Sequence, residues 1–108
     1  MDFKQLAENL ELDEAEFTEL LELFSNTGGK DIARLEKAIE TGNKKEAERA
    51  AHSLKGSSAT LGLMAIAEKA GLLEENLRED CHEDSFRLLE GIKENMNIIK
   101  KLIGFEQN

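Results

Sequence analysis

Proline, tryptophan and tyrosine are missing from the 108 residues, and there is a single cysteine. Without proline, and with abundant Glu, Leu, Ala and Lys, nothing interrupts long helices, and the composition predicts an all-α protein. The lone Cys81 excludes an intrachain disulfide and agrees with a reducing compartment. No stretch approaches the ~20 apolar residues of a membrane-spanning helix. The opening MDFKQLAENL lacks the basic start and apolar run of a secretion signal, so a cytoplasmic location and no membrane partner are expected. A Gly-rich phosphate loop and alternating strands are also lacking, which leaves no evident means of holding ATP. Positive charge is in the minority: the formal net charge of −9 argues against nucleic acid as a partner, since binding there relies on a positive surface.

What is present is helical periodicity. Residues 1–108 are the length of one domain, with room for a single core but not for a cleft between lobes. Residues 2–10 place Phe3, Leu6, Ala7 and Leu10 at the spacing of a short opening helix. Asp13 with Glu16 forms a capping arrangement ahead of the stripe Phe17, Leu20, Leu21, Phe24. Asn26-Thr27-Gly28-Gly29 is expected to end or sharply bend that helix. Ile32, Leu35, Ala38 and Ile39 then mark a helix stopped by Thr41-Gly42. Asn43, with Glu46 at the third position, caps the next, which Gly62 closes. Ile66, Ala70, Leu73 and Leu77 line another, in which Gly71 suggests close backbone packing. After the polar break Glu79–Asp84, the series Phe86, Leu89, Ile92, Met96, Ile99, Ile103 is the strongest amphipathic pattern in the chain. Short connections favour antiparallel neighbours, so the expected architecture is an antiparallel up-down four-helix bundle of the last four helices, with additional N-terminal helices covering an end or side.

The stretch from Asn43 to Gly62 carries the chemistry. At about 100° per residue, Ala47, Ala50, Leu54 and Leu61 gather on one side and His52 points the other way. The outward face also carries Lys45, Glu48, Arg49, Lys55, Gly56 and Ala59, residues that are mostly basic or very small. From Asn43 to Ala59 there are four Lys or Arg against two Glu, a locally basic patch on an acidic molecule that suits an acidic partner surface. Gly56 sits one turn after His52, where a side chain would crowd the ring, and a glycine inside a helix costs about 1 kcal/mol relative to alanine. Lys55 can bring an ammonium toward anything negative on the imidazole. An accessible imidazole with a cation beside it and cleared space around it is a landing site for a phosphoryl group.

These residues bear a family resemblance. His52-Ser53-Leu54-Lys55-Gly56-Ser57-Ser58, followed by Leu61-Gly62, resembles the signature of histidine-containing phosphotransfer (HPt) domains of multistep two-component relays. A looser likeness runs from Glu16-Phe17 through Leu73-Glu74 to the last helix. The family often has Asp where Asn43 stands, and both residues cap helices well. The resemblance implies that His52 accepts a phosphoryl group, on its Nε2 nitrogen, from the aspartate of a receiver domain and passes it to another receiver. Lys55 would stabilise charge, Gly56 would give steric clearance, and Lys45, Glu48, Arg49 and Ala59 would meet the partner. The implied partners are response-regulator receiver domains and a hybrid histidine kinase. This chain would bind no cofactor of its own, and Mg²⁺ would sit on the receiver.

Other readings compete. A non-catalytic helical adaptor, or a bundle that dimerises through the Phe86–Ile103 stripe, would leave His52 incidental. The phosphoacceptor domain of a chemotaxis-type kinase shares the chemistry but takes phosphate from an ATP-binding domain; Met1 and the short length favour a free-standing phosphocarrier. A receiver domain needs a parallel sheet and an acidic pocket, and a kinase dimerisation domain usually has an acidic residue after the histidine, where Ser53 stands here. Ser57 and Ser58 read as small packing residues with hydroxyls returned to the preceding turn, in preference to nucleophiles or phosphate ligands. Cys81-His82, two adjacent ligands with no other Cys or His nearby, make a poor metal site, and none is expected.

Overall fold

In the computed structural model, which describes residues 3–80 and 84–107, a short helix α1 (Phe3–Asn9) precedes four longer ones: α2 (Glu14–Thr41), α3 (Lys44–Thr60), α4 (Met64–Arg78) and α5 (Ser85–Gln107). Helix α2 packs on α3, α3 on α4, α4 on α5 and α5 back on α2, so the four close into a ring. Two residues join α2 to α3 and three join α3 to α4, too few for a crossover, and the helices run up and down. This is the four-helix bundle expected from the periodicity. Helix α1 is added at the end where α3 turns into α4: Leu6 packs against the core, and a Cβ built on Gly62 would come within 3.2 Å of its Cδ2.

The expected break at Asn26–Gly29 does not occur, and α2 runs through it without interruption. Gly28 is buried, and a Cβ there would lie 2.8 Å from Met96 Cε and 3.5 Å from Leu54 Cδ1. Its hydrogen makes room for α5 and α3 against α2; it is not a stop signal. The stops are Gly42 (φ 72°) and Gly62 (φ 76°), both in the left-handed region. At each, two backbone bonds close the helix: Asn43 N–H to Ala38 O at 2.8 Å and Gly42 N–H to Ile39 O at 3.3 Å, then Leu63 N–H to Ser58 O at 2.9 Å and Gly62 N–H to Ala59 O at 3.0 Å.

The helix starts follow the sequence more closely. Asp13 accepts from Glu16 N–H at 2.8 Å, and Glu16 accepts from Asp13 N–H at 3.2 Å, a complete capping box. Asn43 makes only half of one: it accepts from Glu46 N–H at 3.2 Å, while the Glu46 carboxylate turns to Arg34, 2.6 Å away.

Along α5 the buried series is Ser85, Leu89, Ile92, Met96, Ile99, Ile103. Phe86, expected to begin it, is 63% exposed. Steps of four and three read backwards from Ile92 through Leu89 land on Ser85, so the neighbouring phenylalanine falls outside the stripe. Leu20, on the edge of the α2 stripe, is also exposed. Among the described residues no helix is long and apolar enough to cross a membrane.

Candidate functional site

Helix α3 buries a row of small side chains, Ala47, Ala50, Ala51 and Ser58, around the larger Leu54. Small residues let α2 and α4 come close on either side and leave the outward face prominent. Ser58 is fully buried, and its hydroxyl donates to Leu54 O at 2.6 Å; Ser57 donates to the same carbonyl at 3.3 Å. Both hydroxyls return to the preceding turn, as the sequence suggests. His52 stands on the opposite side, with 70% of its side chain exposed.

The ring is not free, however. His52 Nδ1 lies 2.9 Å from Glu74 Oε2, and Lys55 Nζ lies 3.1 Å from Glu74 Oε1. The carboxyl of Glu74, on α4, thus joins the two residues the sequence singled out on α3. Arg78, one turn further along α4, brings a guanidinium to 3.6 Å from Oε2. Glu74 is almost buried, with 10% of its side chain exposed. Burial pushes the carboxyl up, but the hydrogen bond and charge of Lys55, and then those of His52, outweigh it and hold Glu74 below the usual carboxylate range.

That fixes the tautomer. An ionised carboxylate only accepts hydrogen bonds, so Nδ1 carries the proton and donates it to Glu74. In the neutral ring Nε2 then carries the lone pair, at the far side of a largely exposed side chain.

On the other side of α3 the contacts hold helices together and do not touch the ring. Ser53 Oγ donates to Asp31 Oδ2 at 2.9 Å, Arg34 bridges Asp31 at 3.1 Å and Glu46 at 2.6 Å, and α2 is tied to α3. These bonds set the register of the pair. In this antiparallel pair the exposed Leu23, about two turns before Asp31 on α2, lies toward the C-terminal end of α3.

The sequence placed His52, Lys55 and Gly56 together, and the three are neighbours on α3. Lys45, Arg49 and Ala59 are exposed and Glu48 is half-buried on the same face, without joining the Glu74 cluster. A Cβ added at Gly56 would meet nothing within 4 Å, so a methyl there would not crowd the ring. The space Gly56 leaves open is solvent, and it matters only to something that docks. Sequence reasoning missed Glu74 and Arg78 as members of the site. Glu74 had a signal: in the buried series Ile66, Ala67, Ala70, Leu73, Glu74, Leu77 it is an acidic residue at a core position. Cys81-His82 lies outside the described residues.

An exposed imidazole held from behind by a carboxylate, on an open face of a four-helix ring, is an arrangement suited to a helical phosphotransfer module. The Hpt domain model matches residues 19–101, and the chain belongs to the Hpt domain family. Members of this family work with receiver domains and histidine kinases in phosphorelays. Among solved structures, the chain is similar to the crystal structure of histidine-containing phosphotransfer protein B (HptB) from Pseudomonas aeruginosa PAO1, at 27% identity and a TM-score of 0.84, over 98% of this chain and 92% of that one. The comparison with curated proteins gave no match.

Proposed function

We propose that this chain is a phosphorelay intermediary whose phosphoacceptor is His52. The observation that carries the reading is the exposed imidazole with Nδ1 held 2.9 Å from the Glu74 carboxylate. In the forward step, the Nε2 lone pair attacks the phosphorus of an aspartyl phosphate on a receiver domain. The P–N bond forms, the P–O bond to the aspartate breaks, and its electron pair leaves on the receiver carboxylate. The proton on Nδ1 stays in place, shared with Glu74, and no base is needed. The reverse step hands the phosphoryl group to the same or another receiver.

Such a transfer depends on positioning and charge compensation more than on covalent chemistry. The receiver supplies the acidic pocket with Mg²⁺. This chain supplies the nucleophile, the Lys55 ammonium for the phosphoryl oxygens, and an open approach over Gly56 and Ala59. Lys45 and Arg49 favour an acidic rim on the partner, Glu48 lies between them, and Leu23 extends the contact with apolar surface. A hybrid histidine kinase upstream and a cytoplasmic setting go with this reading.

The test is to mix the purified chain with phosphorylated receiver domains and Mg²⁺ and to follow acid-labile, base-stable phosphate in wild type and His52→Gln. Label in the wild type alone is expected. Label that persists in His52→Gln, at another residue, would remove the assignment. No label from a broad receiver panel, with the fold intact, would move the reading to a helical adaptor.

A further inference from the structure

We infer that Gly71, on α4, is a positioning residue that seats the side chain of Lys55 against the Glu74 cluster; its link to transfer rests on the function proposed above. A Cβ built on Gly71 would lie 3.2 Å from Lys55 Cδ and 4.0 Å from Cγ, so the lysine stem runs directly over the glycine. Glu74 follows one turn later on the same face, and there the ammonium arrives, 3.1 Å from Oε1. Gly71 is the floor of the slot and Glu74 its end.

Nothing in the backbone calls for glycine at this position. The positive-φ glycines are Gly42 and Gly62, and residue 71 is in the interior of a regular helix, where glycine is disfavoured. What it provides is lateral room. A lysine on an open helix face samples many rotamers; here the stem is confined to one groove, and 43% of the side chain still faces solvent. The ammonium is held beside the imidazole yet remains reachable by an incoming phosphoryl group.

The molecule contains its own control. On the next pair of helices, Lys69 lies across Gly91 in the same way: a Cβ on Gly91 would be 2.9 Å from Lys69 Cε, and Lys69 Nζ donates to Asn95 Oδ1 at 2.8 Å. That lysine ends on a neutral amide. The slot by itself is therefore a packing device, and the one at Gly71 gains a further role from where its lysine ends.

Two readouts test this, one of them independent of any partner. The first follows the Glu74 carboxyl carbon by NMR against pH in wild type, Lys55→Ala, Gly71→Ala, Gly71→Val and Gly91→Ala. The midpoint is expected to rise in Gly71→Val toward its value in Lys55→Ala, to rise less in Gly71→Ala, and to stay in place in Gly91→Ala. An unmoved midpoint in Gly71→Val overturns the seating, whatever happens to transfer. Should Gly71→Val fail to fold, Gly71→Ala carries the same test, since a methyl displaces the stem by only a few tenths of an ångström.

The second measures kcat and KM for transfer from a phosphorylated receiver. Gly71→Val should lower kcat about tenfold with KM little changed, within the roughly hundredfold that an ångström of misplacement can cost. The effect should vanish when Lys55 is already alanine. Equal slowing with and without Lys55 would overturn the role of Gly71 through the lysine. A wild type that takes no label defeats the phosphorelay reading and removes this link to transfer, while the NMR midpoint still decides the seating.

Discussion

The two grooves that flank α3 are built from similar residues and do different things. Toward α2, Asp31 takes the Ser53 hydroxyl and Arg34, and Arg34 goes on to Glu46. Toward α4, Glu74 takes His52 and Lys55, with Arg78 nearby. The two carboxylates are about equally covered, with 13% of the Asp31 side chain and 10% of the Glu74 side chain exposed, so burial does not separate them. Their partners do: Asp31 meets a hydroxyl and the half-exposed Arg34, a type of pair that contributes little, whereas the charge of Glu74 is felt by the imidazole. One acidic residue sets a register and the other sets a tautomer.

The largest break in that contrast comes from the ring itself. His52→Gln should abolish phosphate transfer while changing the free energy of unfolding by less than about 1 kcal/mol, as urea titration would measure, because the side chain is mostly exposed. Retained transfer would place the nucleophile elsewhere. Next comes Glu74→Gln, expected to slow transfer by roughly ten- to a hundredfold. The amide can offer its NH₂ to Nδ1 as readily as its oxygen, and the proton then has no reason to stay on that nitrogen. Single-turnover rates with one phosphorylated receiver measure the loss.

Gly56 sharpens the picture from the partner's side. Gly56→Leu should raise KM about tenfold by filling the approach over the helix, a loss of about 1.4 kcal/mol in docking. Gly56→Ala should leave transfer unchanged and stabilise α3 by up to about 1 kcal/mol, because the added methyl meets nothing. Slower transfer in the alanine variant would mean that the ring needs the space after all.

Glu74 also gives its groove a pH dependence in stability. Because the folded-state value of Glu74 is depressed, its contribution is fully present above the ordinary carboxylate pKa of about 4.3 and is lost as pH falls through the lower folded value. Unfolding free energy measured from pH 7 to pH 2 should fall less steeply in Glu74→Gln than in wild type below about pH 4.3. The smallest effect is expected from Asp31→Asn: less than about 1 kcal/mol of stability and transfer within about twofold of wild type. A transfer defect there as large as that of Glu74→Gln would erase the distinction between the two sides.

Much of the bundle was legible in the sequence because burial follows a period of 3.6. The rows Phe17, Leu21, Phe24 and Leu89, Ile92, Met96, Ile99 lie in the core where the spacing put them. Glycine was harder to read. Gly28 looked like a stop next to Gly29, and only the position of Met96 on another helix explains it. Gly42 has the same residue type and truly ends the helix, so the difference is tertiary. On the site, His52 and Lys55 could be paired from one helix alone. Glu74 is 22 residues away from His52, and only the packing of α4 on α3 brings its carboxylate to the ring. Phe86 shows the opposite failure, an apolar residue one position off the stripe that periodicity counted in.

The most direct measurement is a long-range ¹H–¹⁵N correlation spectrum of the imidazole in the phosphorylated protein. Phosphate on Nε2 of His52, with the proton on Nδ1, is the result expected if Glu74 holds the ring. Phosphate on Nδ1, or on any other residue, would contradict it.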